Sequence, residues 1–202
     1  MMLRRRNDES APDIKVVLLG DSNVGKTAMI YSYTLNIFHK KISSTCMDSY
    51  EVTVNVKQKE TILGICDTAG NEEFDTLRQL AYPGSDAFII CFSLVDRSSF
   101  EHVCSWVNEL RIWELHSPVI LVATKKDLRD AQNSSSSGRC INPSFISFSE
   151  GQRLAHQIQA IRYIETSAYT QEGIKDAFDT AIMIKLNGVL NVEKRKKKCT
   201  LL

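Results

Sequence analysis

The sequence lacks any apolar run long enough to cross a lipid bilayer. The longest, residues 87–95, is interrupted by Ser93, whereas a membrane-spanning helix needs about 20 apolar residues. No secretory signal opens the chain, because the arginines at positions 4–6 are followed by polar residues. The six cysteines form no CxxC motif or Cys/His pair with metal-ligand spacing, and no internal repeat is present. We therefore expect a cytosolic fold without disulfide bonds.

Positive charge is also scarce in the body of the chain. The formal net charge is +1, and the five adjacent basic residues at positions 194–198 contribute +5, so the remaining residues together carry −4. A nucleic-acid-binding domain would spread positive charge over a folded face. A mildly acidic body with a basic tail argues against nucleic acid as a partner, and the length of 202 residues fits one domain with short tails.

Short apolar runs alternate with stretches of helical spacing along the chain. The pattern predicts buried or alternating strands at 14–19, 51–56, 61–66, 87–94 and 119–123. It predicts helices at 26–33, 99–111, 149–160 and 173–186. Residues 133–138, Asn-Ser-Ser-Ser-Ser-Gly, are expected to form a mobile surface loop. Strands that alternate with helices indicate an α/β fold around a mostly parallel sheet.

A phosphate-binding motif follows the first predicted strand. Residues 20–27 fit GxxxxGK[ST] and open the first predicted helix. The backbone N–H groups of such a loop point at phosphate oxygens, Lys26 would contact the β- and γ-phosphates, and Thr27 would ligate Mg²⁺. The alternative, a glycine turn with an incidental lysine, is disfavoured by the strand-to-helix context. The candidate nucleotide-binding residues here are Gly20, Asp21, Ser22, Asn23, Val24, Gly25, Lys26, Thr27 and Ala28.

A second motif, Asp67-Thr68-Ala69-Gly70, directly follows the strand predicted at 61–66. A carboxylate at the end of that strand can hold the Mg²⁺ shell, and the N–H of Gly70 can contact a γ-phosphate. Alone, the four residues would be a common turn. Their position one hairpin after the phosphate loop favours the nucleotide role for Asp67 and Gly70.

Two further motifs indicate guanine as the base. Thr124-Lys125-Lys126-Asp127 follows a predicted strand, at the end where ligands of α/β sheets bind. Asp127 would accept hydrogen bonds from the guanine ring N–H and amine, which adenine cannot supply, and Lys125 would pack along the base. In Glu165-Thr166-Ser167-Ala168, the N–H of Ala168 would contact the guanine carbonyl. A charged turn is the alternative for the first motif, and an unrelated P-loop ATPase or kinase is disfavoured by both.

Four other strings complete the pattern: Phe74-Asp75-Thr76-Leu77-Arg78, Tyr82-Pro83, Cys91-Phe92-Ser93-Leu94-Val95 and Asp127-Leu128-Arg129-Asp130. With them the sequence resembles an atypical member of the Rho/Rac branch of the Ras-superfamily small GTPases, over nearly all of residues 13–202. The resemblance implies a P-loop NTPase G domain, an α/β fold whose mixed, mostly parallel six-stranded sheet is flanked by helices. It divides the chain into a flexible extension at 1–12, a small GTPase domain at 13–186 and a polybasic tail with a CaaX box at 187–202.

The resemblance also implies ligands and partners. Thr45 would close on Mg²⁺ and the γ-phosphate of GTP, so that Thr27, Thr45 and Asp67 form the metal set, and Phe38 would cover the guanine. Segments 41–50 and 70–80 would order with GTP and relax with GDP. The implied partners are GTP-dependent effectors, exchange factors, GTPase-activating proteins and dissociation inhibitors, with a role in actin and cell-shape signalling.

Two departures from the family bear on hydrolysis. The family usually has glycine in place of Ser22 and a catalytic glutamine in place of Asn71, and phosphoryl transfer depends on such positioning. Asn71 is one methylene shorter and should miss the attacking water, while Ser22 adds atoms where an activating arginine must approach. With Lys26, these are the candidate catalytic residues. We expect slow GTP hydrolysis; the alternative is an ordinary cycling Rho-type GTPase.

The C-terminal residues indicate a lipid anchor. Cys199-Thr200-Leu201-Leu202 satisfies the CaaX pattern, and a final leucine favours geranylgeranylation of Cys199. One lipid and an adjacent basic run are the two signals that stable anchoring requires. A solvated tail or a nuclear signal is the alternative. We expect the protein at the cytoplasmic face of the plasma membrane, with a cytosolic pool.

Overall fold

Seven strands form one mixed sheet in the computed structural model, which describes residues 3–5, 11–40, 42, 45–113, 115–135 and 144–187. Their order across the sheet is β1-β3-β4-β2-β5-β6-β7. The pairs β1/β3 and β3/β4 are antiparallel, and every pair from β4 to β7 is parallel. The strands are β1 (Leu3–Arg5), β2 (Ile14–Leu19), β3 (Met47–Val56), β4 (Lys59–Thr68), β5 (Ala87–Ser93), β6 (Val119–Thr124) and β7 (Arg162–Glu165).

Helices connect the parallel strands and cover both faces of the sheet. A 3₁₀ turn at Glu72–Phe74 precedes the second helix. The helices are α1 (Lys26–Leu35), α2 (Asp75–Gln79), α3 (Arg97–Glu101), α4 (Val103–Ile112), α5 (Lys126–Ser135), α6 (Phe148–Gln157) and α7 (Ile174–Asn187). In the part of the chain that the structure describes, no helix has the length and apolar character needed to cross a membrane.

The core divides into two clusters, one on each face of the sheet. Val16 and Leu18 of β2 face the cluster that includes Ile30 of α1 and Phe178 of α7. Val17 and Leu19, the alternate residues of the same strand, face the cluster beneath α4 and α6. Because successive side chains of a strand point to opposite faces, a continuous apolar strand is needed where both faces are covered. The expected α/β fold with a mostly parallel sheet is confirmed.

The antiparallel hairpin β3/β4 closes through Lys57 and Gln58, whose φ angles are 51° and 65°. Two central residues with positive φ make the two-residue turn that suits the right-handed twist of paired strands. The hairpin is longer than predicted, because pairing continues out to Met47 opposite Thr68. This extension places Asp67 inside the end of β4 and not in a turn beyond it.

Three local expectations are wrong. Residues 3–5 are not a free part of the N-terminal extension, because backbone pairing holds them against residues 50–52 of β3 as a seventh strand. Residues 133–135 are helical, since a helix that has begun at Lys126 tolerates serine at a cost of about 0.5 kcal/mol each; residues 136–138 lie outside the described part. The single helix expected at 99–111 is divided at His102, whose carbonyl accepts from the N–H groups of both Ser105 and Trp106.

Candidate functional site

The phosphate loop joins β2 to α1 and has a backbone that side chains disfavour. Gly20 has a φ of 134° and Gly25 a φ of 112°. A Cβ on Gly20 would lie 2.1 Å from the carbonyl oxygen of Cys91 in β5, so the loop can pass this strand only with glycine at that position. The Nζ atom of Lys26 donates to the carbonyls of Gly20 at 2.6 Å and Asp21 at 2.8 Å. The loop therefore wraps around the Lys26 ammonium, and burial lowers the pKa of this lysine.

The three predicted metal ligands lie together beside the loop. Thr27 Oγ1 donates to Asp67 Oδ2 at 2.5 Å, and Thr45 Oγ1 lies 2.9 Å from Thr27 Oγ1 and 3.3 Å from the same carboxylate oxygen. Asp67 is completely buried. These groups come from α1, from the chain just before β3 and from β4, so only the folded sheet brings them together.

The site fits a divalent cation. Asp67 Oδ1 is buried and has no hydrogen-bond partner within the described residues, and burial raises the pKa of the Asp67 carboxyl to about 6. A buried carboxylate oxygen next to two hydroxyl groups is an oxygen-ligand set of the kind that Mg²⁺ prefers, with phosphate oxygens and water completing its shell. No cluster of three or more His, Cys, Asp or Glu side chains suited to a metal occurs among the described residues. At this site, the hydroxyl groups of Thr27 and Thr45 supply the oxygen ligands beside the single carboxylate of Asp67.

Gly70 lies directly against the phosphate loop. A Cβ at this position would come within 2.2 Å of the Asp21 carbonyl carbon and 2.3 Å of the Ser22 nitrogen. Backbone can approach backbone this closely only where one partner is glycine. The turn that follows β4 therefore lies directly against the backbone of the phosphate loop at Asp21 and Ser22.

The two guanine motifs meet at the ends of β6 and β7. Ser167 Oγ donates to Asp127 Oδ1 at 2.6 Å, and the backbone N–H of Lys126 donates to the Thr166 carbonyl at 3.0 Å. Thr124 Oγ1 donates to the carbonyl of Val24 in the phosphate loop and to that of Phe92 in β5. The base and phosphate halves of the site are thus connected directly.

Lys125 and Phe38 border the same region. Lys125 has a φ of 59° and is half-buried, and burial lowers its pKa. The Phe38 ring, 39% exposed, meets the ring of Tyr169 edge-on with centroids 5.5 Å apart. Tyr169 comes directly after Ala168, so Phe38 reaches the second guanine motif. Sequence reasoning missed Tyr169, whose aromatic ring next to the motif was the available signal.

One comparison with known proteins bears on this geometry. The family model described as "Ras family" matches residues 15–186. The chain belongs to the Ras family. Proteins of this family are small GTPases: GTP-binding switches that bind GTP and GDP, typically with Mg²⁺, and interact with effectors, exchange factors and activating proteins. The phosphate loop, the Asp67 site and the guanine motifs of this Ras-family domain all lie inside the matched residues.

Arg129 and Glu165 stand in motifs that the sequence pointed to, but the sequence indicated no role for either of them in this Ras-family site. They form a two-pronged ion pair, with Nη1 to Oε1 at 2.6 Å and Nη2 to Oε2 at 2.7 Å. Both side chains are largely buried, at 11% and 7% exposure, and Tyr163 also donates to Glu165. Because Arg129 follows Asp127 by two positions and Glu165 precedes Ser167 by two, the pair fastens one guanine motif to the other. Only the fold places them side by side.

The two unusual residues, Ser22 and Asn71, are both exposed at the phosphate end of the site. The Asn71 amide is engaged by its own turn: its oxygen accepts from the N–H of Glu73 at 3.5 Å, and its Nδ2 donates to Glu73 Oε2 at 3.2 Å. Asn71 is thereby the N-cap of the short 3₁₀ turn. Cys199 and the basic run at 194–198 lie outside the described residues, so lipidation stays a prediction.

Proposed function

We propose that this protein is a lipid-anchored, Rho-type GTP-binding switch that hydrolyses GTP slowly. The observation that carries the proposal is the position of the Asn71 amide, which is bound to Glu73 and caps the turn at Glu72–Phe74. A residue at this place must hold the attacking water in line with the γ-phosphate. The Asn71 side chain is one methylene shorter than the glutamine usual in the family, and its amide is bound to Glu73. It would therefore hold the attacking water poorly.

The size of the effect follows from how this reaction is catalysed. In Ras itself, the standard example of this chemistry, a glutamine orients the water, and an arginine from an activating protein increases kcat by about 10³–10⁵. The protein contributes little covalent chemistry, so misplacement of the water is enough to lose most of this gain. Ser22 would act on the arginine component. Its side chain is exposed on the phosphate loop, and there it would obstruct an arginine that approaches from an activating protein.

Single-turnover hydrolysis with a Rho-type activating protein tests slow turnover. The variants are Ser22→Gly, Asn71→Gln and the double change, and Asn55→Gln, at an exposed position of β3, is the matched control. We expect the native protein and the control to be accelerated little and the double variant to be accelerated strongly. Acceleration of the native protein by several orders of magnitude would establish an ordinary cycling GTPase.

The nucleotide carried by freshly purified protein gives a second test. A switch that hydrolyses slowly should carry mainly GTP, and its signalling would then be set by its abundance more than by activating proteins. A preparation that carries mainly GDP would favour the cycling alternative. In the Asn71→Gln, Ser22→Gly double variant, the balance should move toward GDP.

The membrane part of the proposal depends on the C-terminal residues. A geranylgeranyl group on Cys199 and the basic run at 194–198 would hold the domain at an anionic inner leaflet, with each basic residue adding about 1 kcal/mol or less. Dissociation inhibitors, by binding such a lipid, would maintain a cytosolic pool. Through the Rho-type resemblance, the proposed output is control of actin and cell shape.

Cell fractionation tests the anchor. We expect Cys199→Ser to move the protein from membranes to the soluble fraction, whereas Cys46→Ser, which changes an exposed cysteine of the domain, should leave its distribution unchanged. Retention of the Cys199→Ser variant on membranes would contradict lipid anchoring through this residue. The result is independent of the hydrolysis rate.

A further inference from the structure

The side chain of Asp21, the second residue of the phosphate loop, points away from the loop and toward the junction of α3 and α4. Its Oδ2 atom lies 2.7 Å from Nδ1 of His102, the residue at which the two helices divide. Its Oδ1 atom accepts from the indole Nε1 of Trp106 at 2.8 Å. Each carboxylate oxygen thus has its own donor, and neither donor belongs to a nucleotide motif.

The main chain of Asp21 occupies the centre of the phosphate site. Its carbonyl oxygen accepts from Lys26 Nζ at 2.8 Å, and its carbonyl carbon lies where a Cβ on Gly70 would be only 2.2 Å away. Movement of Asp21 therefore changes the position of the ammonium group and the separation between the loop and the turn after β4. Contacts that fix the side chain of Asp21 therefore fix the position of the Lys26 ammonium and the separation between the loop and this turn.

Trp106 also contacts Arg78, which in turn binds the turn that bears Asn71. The Arg78 guanidinium lies over the Trp106 ring, 4.6 Å from its centroid, and Arg78 Nη1 donates to the carbonyls of Ala69 at 3.1 Å and Asn71 at 3.4 Å. Arg78 is only 2% exposed and is also paired with Glu109, one turn beyond Trp106 on α4. One face of α4 therefore contacts the phosphate loop and, through Arg78, the turn after β4.

We propose that Trp106 and His102 are positioning residues of the nucleotide site, which hold the phosphate loop through Asp21 and connect it to the Asn71 turn through Arg78. The inference rests on nucleotide binding by the Ras-family domain and is independent of slow hydrolysis and of the lipid anchor. When the contacts to Asp21 are weakened, the loop gains freedom and bound nucleotide leaves faster.

The contact with His102 is also sensitive to pH. The charged groups that act on this ring among the described residues are acidic: Asp21 from the phosphate loop, Glu101 from α3 and Asp96 from the segment before α3. The hydrogen bond to Asp21 raises the pKa of His102 above its ordinary value. Below that pKa the contact is an ion pair, and as the pH rises through it the contact becomes a neutral hydrogen bond, which is weaker. The loop is therefore held most tightly at the acidic end of the range.

Release of fluorescent GDP at fixed Mg²⁺ measures the effect of Trp106. Trp106→Phe removes the indole donor and keeps a ring beneath Arg78, and Trp113→Phe, at the other tryptophan of the chain, is the matched control. Loss of one hydrogen bond to a charged group predicts release about tenfold to a hundredfold faster for Trp106→Phe and an unchanged rate for the control. An unchanged rate for Trp106→Phe overturns the role of Trp106.

A double-mutant cycle separates positioning through Asp21 from packing. In an Asp21→Ala background the indole has no carboxylate to hold, so adding Trp106→Phe should change the release rate no further. If Trp106→Phe accelerates release equally in both backgrounds, its effect arises from packing, and the proposed contact is refuted. Thermal unfolding of all four proteins identifies any variant that has lost stability.

His102→Gln completes the test, because glutamine can donate to Asp21 but does not titrate. The ratio of its release rate to that of the native protein is followed between pH 5.5 and 8.5, so that groups common to both proteins cancel. We expect the ratio to be largest at acidic pH and to fall as the pH rises. His116→Gln, which changes an exposed histidine in the loop before β6, should give a constant ratio of one, and a constant ratio for His102→Gln would overturn the role of His102.

Discussion

At the scale of single residues, the two carboxylates of the site differ in how completely the protein satisfies them. Asp67 uses one oxygen to accept from two threonines and leaves the other buried without a partner among the described residues. Asp127, by contrast, is engaged by Ser167, so its carboxylate is held in one orientation for a ligand. A charged group that the protein desolvates without a partner costs stability unless a ligand compensates it.

Asp67→Asn should stabilise the nucleotide-free protein at pH 7 while removing its response to Mg²⁺. Because the folded pKa of Asp67 is raised to about 6, ionisation above that pH costs the fold on the order of 1–3 kcal/mol, and the cost disappears as the pH falls from 6 to below the ordinary aspartate value. Thermal unfolding should show a higher midpoint for the variant at pH 7 and a difference that vanishes near pH 4. In the variant, chelation of Mg²⁺ should no longer accelerate GDP release.

Asp176→Asn, at an exposed ion pair of α7, is the control for this change and should retain the Mg²⁺ response. If Asp67→Asn released GDP as the native protein does, both with and without Mg²⁺, Asp67 would not be part of the metal site.

Asp127→Asn should weaken GDP and GTP binding strongly. An amide cannot accept from both guanine donors, and an unpaired donor in a buried site costs about 1–3 kcal/mol, so the dissociation constant should rise by about tenfold or more. Titration of fluorescent GDP and ADP against this variant and against Asp179→Asn, a control on α7, provides the measurement. Equal GDP affinity in the native and Asp127→Asn proteins would reopen the choice of adenine as the base.

At the scale of secondary-structure elements, ion pairs and glycine contacts fasten the ends of the strands to one another. The Arg129–Glu165 pair joins α5 to β7, and the close approach of Gly20 joins the phosphate loop to β5. The exposed pair Arg162–Asp176 contrasts with the first of these, because water screens it and it contributes little. The strands that carry the site are thus held at their carboxyl ends by buried contacts.

Arg129→Ala should destabilise the fold and loosen guanine binding together. Removing one member of a buried pair leaves Glu165 desolvated without its partner, which costs about 3–5 kcal/mol. Arg97→Ala, which affects the more exposed pair with Glu150, is the matched control and should cost less. Chemical denaturation gives the free energies of unfolding, and a smaller effect for Arg129→Ala than for Arg97→Ala would show that the buried pair does not fasten the two motifs.

At the scale of the whole molecule, the nucleotide site lies at the carboxyl ends of the parallel strands. At the side of the sheet, β1 is the outermost strand and pairs with β3. Pairing of Leu3–Arg5 with β3 covers the backbone of residues 50–52, which would otherwise form an open edge. An uncovered strand edge offers unpaired N–H and C=O groups to other strands. Strand β3, whose outer side β1 covers, begins two residues after Thr45 of the metal site.

Deletion of residues 1–10 should expose this edge without affecting nucleotide binding. Hydrogen exchange of the β3 amides around residues 50–52 should accelerate, because the exposed groups then bond to water, while the GDP dissociation constant should stay unchanged. Deletion of residues 188–202 is the control and should leave exchange at this edge as it was. Identical exchange in the native protein and the first deletion would show that β1 gives β3 no protection.

Much of the fold follows from the sequence through local patterns. An α/β fold was predicted from the apolar run of β2, the glycines around Lys26 and the order of the four motifs. The same features predicted that the site forms at the carboxyl ends of the strands, because parallel strands end on the same side of a sheet. Patterns of this kind depend on residues close together in the chain. The seventh strand was not predicted, since three residues beside a run of polar ones carry no strand signal of their own.

What the tertiary structure decided is which distant side chains became partners. The sequence by itself determined the residue types of the site: Lys26, Thr27 and Asp67 for phosphate and metal, and Asp127 for the base. It did not determine that Arg129 would pair with Glu165 or that Asp21 would be held by His102 and Trp106. The physical reason is that a hydrogen bond depends on the distance and direction of its atoms, and for residues 81 and 85 positions apart these are set only when the helices pack on the sheet.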